Sequence, residues 1–262
     1  MKRMDLKLAL LIAGICFASG FLLLPYQMES LKSAMSANEF EEMTGGASLV
    51  VLSLVSSVQL FIMSFTLAFF GFKLARHTGF SFDILQSLFE KGKKRLFNRL
   101  SLLLSIILGT VTGFIIVGSD RYYFQYQIQQ IGGSTPEFSW LGLFAGVLAG
   151  GVFEETLMRL FLVSLLVWIF QITAGRKRQL PKSYIWAAII LASLVFAAGH
   201  LPFTSMVFGD LTGMILFRCF LLNGIGGLFF GYLYCKKGFE YAIVSHMFAH
   251  ISMQLLFIPL FY

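Results

Sequence analysis

Seven long apolar runs dominate the chain, at roughly 8 to 26, 48 to 72, 100 to 118, 140 to 170, 183 to 199, 212 to 235 and 240 to 258. A helix needs about 20 predominantly apolar residues to cross a bilayer. The pattern therefore predicts an all-α fold, a polytopic membrane helix bundle of about seven transmembrane helices. The first run follows Lys2 and Arg3 as a signal peptide would, but it is long and its cleavage-like Ala18-Ser19-Gly20 lies inside it, so an uncleaved helix is expected. Between the second and third runs, SFDILQSLFEKGKKRLF sets Ile84, Leu85, Leu88 and Phe89 at helical spacing beside a Lys/Arg cluster. Two readings stay open there: a helix lying on the membrane surface, or a solvated loop whose charges fix topology.

Composition agrees with the pattern. The 262 residues are 57 % hydrophobic and 13 % charged, and a mean hydropathy of +0.80 is far from that of soluble domains. The formal charge of +7 would suit nucleic acid, but the cations fall in short patches between apolar runs, so no nucleic-acid partner is expected and the lipid bilayer is. If seven spans alternate, Lys2, Arg3, Lys7, Lys73, Arg76, Lys91, Lys93, Lys94, Arg95, Arg99, Arg176, Lys177, Arg178, Lys182, Lys236 and Lys237 share one side. The positive-inside rule makes that side cytoplasmic, with the N-terminus there and the C-terminus outside. The opposite loops hold only Lys32 and Arg121 among basic residues, with Glu29, Glu39, Glu41, Glu42, Asp120, Glu137 and Asp210. An integral protein of a bacterial plasma membrane is expected, which the compact chain suits. Cys16, Cys219 and Cys235 are odd in number and lack CxxC spacing, which predicts neither a disulfide framework nor a thiolate metal site.

Against this background FEETLMR, Phe153 to Arg159, is expensive. Each charge at the centre of a membrane helix costs about 2.5 to 3.5 kcal/mol, so Glu154, Glu155 and Arg159 should face the protein interior. On an α-helix Glu155 and Arg159 share a face in the favourable order for an ion pair. Glu154 lies about 100° around and is free to point elsewhere. A buried ion pair that locks helix packing would use the same residues. Of four histidines, His200, His246 and His250 fall in or at the ends of apolar runs and only His77 reads as a loop residue. His246 and His250 are four apart and share a helix face, the spacing of paired metal ligands or of two groups touching one substrate. Leu201-Pro202 predicts that the fifth span ends or breaks at His200. At 1.5 Å per residue, Glu154 and His200 both lie about 25 Å from the cytoplasmic ends of their spans and can meet. His246 lies only about 10 Å from its end, so the seventh span must tilt, start outside the bilayer or be bounded differently. Gly142, Gly146, Gly150 and Gly151 predict close helix packing, or space for a cavity. Arg218 predicts a contact with a substrate carboxylate, snorkelling or an internal partner, the last two favoured.

Three ordered motifs resemble those of the CPBP family (CAAX protease and bacteriocin-processing, or Abi, including proteins like CAAX prenyl protease 2), which are intramembrane proteases. EExxxR corresponds to Glu154, Glu155 and Arg159, FxxxH to Phe196 and His200, and the third motif to His246 with His250 where many members carry asparagine. The glycine-rich GGLFFGYLYCKKGFEYAIVSH is similar to the lead-in of that third motif, and the resemblance covers roughly residues 140 to 258. It implies N-terminal transmembrane helices with a cytoplasmic amphipathic loop over 1–130 and a protease core over 131–262. It also implies that Glu154 and His200 activate a water, and that His246 and His250 stabilise the oxyanion. A variant gives Glu154, His200, His246 and His250 to Zn2+. The expected substrate is a membrane-associated protein or peptide. HExxH, GxGD and GxSG motifs are absent. A non-catalytic scaffold or bacteriocin immunity protein on the same fold is the main alternative. A proton-coupled transporter is the other, and the lack of an inverted repeat weighs against it.

Overall fold

The computed structural model of the chain describes residues 2–92, 94–133, 135–175 and 180–262. Lys93, Arg176, Lys177 and Arg178, read above as topology signals, lie outside the described residues. Among the described residues seven helices are long and apolar enough to cross a membrane: Arg3–Lys32, Leu49–Thr78, Arg99–Tyr126, Trp140–Thr173, Lys182–Phe208, Gly213–Lys236 and Phe239–Phe261, counted here as spans one to seven. No strand occurs among the described residues. This is the all-α polytopic bundle that the apolar runs predict.

Small residues set how closely the spans approach, as expected where lipid tails remove the hydrophobic drive between helices and packing has to supply it. Spans one and two meet where a Cβ on Gly20 would lie 2.6 Å from Ser57 Cα. Spans three and seven meet at Gly109, whose added Cβ would lie 2.1 Å from the Ser245 carbonyl oxygen. Spans five and six meet at Gly227, against the side chain of Ser193. Two buried serine hydroxyls on these faces donate to carbonyls one turn back, Ser105 to Ser101 at 2.9 Å and Ser193 to Ile189 at 2.8 Å, whereas those of Ser57 and Ser245 find no partner among the described residues.

The fourth span is not a regular α-helix. Two α-helical ends, Trp140–Ala145 and Ser164–Thr173, flank π-helical turns over Gly146–Glu154 and Thr156–Val163, with Glu155 between them. Bonds from i to i+5 place more residues in each turn and shorten the rise, and such turns concentrate at functional sites. The fifth span is interrupted at His200, between Lys182–Gly199 and Leu201–Phe208, and continues to Phe208. It is thus broken at the expected place without ending there.

Among its described residues the basic segment between spans two and three forms only a short helix, Asp83–Ser87. Phe82 is buried and Ile84 and Leu85 pack on the core, whereas Leu88, Phe89 and Leu96 are exposed. The segment is pinned to the start of span seven: the Leu85 amide donates to Glu240 Oε1 (2.8 Å), the Phe239 amide to the Ser81 carbonyl (2.9 Å) and the Asn98 amide to the Tyr241 hydroxyl (2.8 Å). Of its cations, Lys94 donates to the carbonyls of Ser87 and Leu88, and Arg95 pairs with Asp83. Arg76 closes the first two spans together through Asp5, at 2.9 Å. His77 is corrected from a loop residue to the exposed last turn of span two, a helix end whose dipole suits a basic group.

Candidate functional site

Glu154 and Glu155 leave the fourth span in different directions. Glu155 is fully buried, with Oε1 2.9 Å from Arg159 Nη1 and 2.8 Å from His246 Nδ1. The carboxylate accepts from Nδ1–H, which fixes the ring and turns Nε2 away from Glu155. Glu154 keeps 29 % of its side chain exposed and lines a cavity of about 400 Å³ together with His200, His246 and His250. Its Oε1 is 4.0 Å from His200 Nε2, and its Oε2 is 3.7 Å from His246 Nε2. Both gaps exceed a direct hydrogen bond and suit a shared water.

His200 sits at the joint of the fifth span because the prolyl residue two places on cannot continue the ladder. There its Nδ1 lies 2.8 Å from the Phe196 carbonyl oxygen. A carbonyl only accepts, so Nδ1 carries a proton, and Nε2 is the ring nitrogen that faces Glu154.

All three motifs therefore meet, and the depth mismatch for His246 has two causes. The start of span seven lies beneath the 80–97 segment, with Phe239, Glu240, Tyr241 and Ala242 all buried. The π-helical turns also shorten the path from Glu154 to the basic end of span four.

Aromatic rings complete the site. Arg159 is 2 % exposed, and its guanidinium carbon lies 5.1 Å from the Phe196 ring centroid and 5.3 Å from that of Phe230. Among the described residues Nη1 and Nη2 make no hydrogen bond of regular geometry, so ring faces and the Glu155 charge surround this cation. Phe230 stacks on His246 at 4.6 Å and 23°, and His246 on His250 at 5.2 Å and 13°. The glycines of span four divide in function. A Cβ on Gly146 or Gly150 would lie 2.3 Å from His250 Nδ1 or 2.5 Å from His250 Nε2. Gly142 and Gly151 pack against Tyr26 and Met247.

Sequence reading missed Phe230, one of 30 phenylalanines with no motif to distinguish it. It also missed Asp120 as the partner of Arg218. Arg218 Nε and Nη2 donate to the two Asp120 oxygens at 2.7 and 2.6 Å, so the intramembrane arginine is paired internally while still lining the cavity. The signal available was one acid and one base, both near the same end of their spans. The three cysteines are free thiols. No three His, Cys, Asp or Glu side chains among the described residues converge closely enough to hold a metal ion. Of the zinc variant's candidates, Glu154 stands 4.0 Å from His200 and 3.7 Å from His246.

Fold and site together define an integral membrane protein whose helices enclose a carboxylate–histidine centre. Residues 136–252 match the family model of type II CAAX prenyl endopeptidase Rce1-like proteins, in agreement with the CAAX protease family that the three motifs resemble. All seven motif residues from Glu154 to His250 lie within the match. No curated protein and no solved structure matches the chain.

Proposed function

We propose that the protein is an intramembrane endopeptidase that hydrolyses membrane-associated proteins or peptides with a water activated by Glu154 and His200. The observation that carries this reading is the convergence of three separate spans on one carboxylate, Glu154, at the wall of a cavity large enough to admit a segment of chain. In the proposed reaction, a water between Glu154 and His200 gives a proton to this pair as its oxygen bonds to the peptide carbonyl carbon. The resulting oxyanion is met by the histidines of span seven. Glu155, through its contact with His246 Nδ1, holds that ring with its other edge toward the cavity. The retained proton then passes to the amide nitrogen as the C–N bond breaks, releasing an acid and an amine.

Arg159 and Glu155 hold this arrangement and are not reacting groups. The core that does this chemistry is assigned to 131–262, with the spans before it as the N-terminal unit. The N-terminus and the basic loops are assigned to the cytoplasmic side.

The test is cleavage of membrane-anchored peptides by the purified protein. Glu154→Gln and His246→Ala are expected to lose activity by about 100-fold or more. Cleavage by either at the wild-type rate overturns the assignment. Protein stripped of metal with a chelator is expected to keep its activity, and loss restored by added zinc would move the water-activating role to a metal.

A further inference from the structure

Phe230 belongs to none of the three motifs, yet it touches both layers of the site. One contact is the buried Arg159 cation at 5.3 Å, and the other is the His246 ring, stacked at 4.6 Å. His246 in turn lies nearly parallel to His250, and His250 fills the notch that Gly146 and Gly150 leave in span four. The two imidazoles differ in what else holds them. His246 has one hydrogen bond, to Glu155, whereas no hydrogen bond orients His250 among the described residues. The outer torsion of an imidazole is broad, so a single hydrogen bond leaves the ring plane free to tilt. Flat surfaces against the ring remove that freedom.

We propose that Phe230 is a positioning residue: its ring and the Gly146/Gly150 notch fix the planes of His246 and His250, so that both imidazole edges face the cavity lined by Glu154. The inference deepens the protease reading and rests on it for its kinetic consequence. A side chain such as leucine fills similar space without a flat face. It would allow the tilt while keeping the core packed, and displacements of this size at an active site cost turnover more than binding.

Two measurements on the full-length protein in detergent micelles test it. With the histidine Cε1 position alone labelled, only four signals arise, and those of His246 and His250 are assigned by their loss in His246→Gln and His250→Gln. The His246 Cε1 proton is expected upfield of that of His77 because of the Phe230 ring current. Phe230→Leu should return it downfield, and Phe230→Tyr should leave it in place. In cleavage assays Phe230→Leu is expected to lower kcat by about 10- to 100-fold with KM within about twofold, and Phe230→Tyr to recover most of the loss. Gly150→Ala, which pushes on His250 from the other end, is expected to shift the His250 signal and lower kcat. An unshifted His246 signal in the wild type, or a Phe230→Leu enzyme with wild-type kcat, overturns the proposal. If Phe230→Leu does not fold, the wild-type shift and the Gly150→Ala kinetics decide. A wild type that cleaves nothing overturns the protease reading alone, and the His246 shift then decides the ring geometry.

Discussion

Two adjacent carboxylates on one helix meet opposite fates here. Glu155 is closed off from solvent against Arg159 and His246, and Glu154 opens onto the cavity. Buried charge of this kind is tolerated because each partner answers the other, and removing one partner leaves the second stranded. Arg159→Leu is therefore expected to destabilise the protein by about 3 to 5 kcal/mol, seen as a lower midpoint of thermal unfolding in detergent. The double variant with Glu155→Leu should recover much of that loss, since no uncompensated carboxylate remains. Helical spacing made the Glu155 to Arg159 pair legible in the sequence. The second partner of Glu155 was not, because His246 comes from a span 91 residues away and only packing brings the two together.

At the scale of elements, contact between spans is set by residues that have almost no side chain. Gly109→Ala would drive a methyl group into the backbone of span seven at Ser245, where nothing flexible can yield. It is expected to cost about 1 to 3 kcal/mol. Gly14→Ala, with nothing within 4 Å of the added carbon, should be neutral or stabilising. The rate at which the thiols Cys16 and Cys219, both buried, react with a fluorescent maleimide during unfolding reads out the difference. The segment between spans two and three is held by Glu240, whose carboxylate accepts from the Leu85 amide. Glu240→Ala is expected to speed amide exchange across residues 80 to 97, while Glu240→Gln, which keeps an acceptor oxygen, should change it little. Of the apolar set Ile84, Leu85, Leu88 and Phe89 marked by helical spacing, Ile84 and Leu85 pack on the core while Leu88 and Phe89 are exposed. Spacing could not show which did so, because periodicity says which side is apolar and never what covers it.

For the whole molecule, the seven spans and the asymmetry of basic residues make a topological prediction. A C-terminal alkaline phosphatase fusion should be active and a C-terminal green fluorescent protein fusion dark, with the reverse for fusions in the 80–97 segment. The opposite pattern overturns the orientation.

The sequence by itself determined the number of spans, the class of fold, the motif residues and the family that they resemble. It could do so because membrane insertion is governed by local composition over about 20 residues, and because motif spacing on a helix is local geometry. Only the tertiary structure decided that Glu154 meets both His200 and His246, that Phe230 backs His246, and that Arg218 is answered by Asp120. The alternatives left open for the depth of His246 could not be narrowed from sequence for the same reason. The depth estimate assumed straight α-helices ending at the membrane surface, whereas span four is widened by π-helical turns and span seven begins beneath a docked loop. Those features depend on contacts between residues far apart in the chain, and no window of sequence contains them.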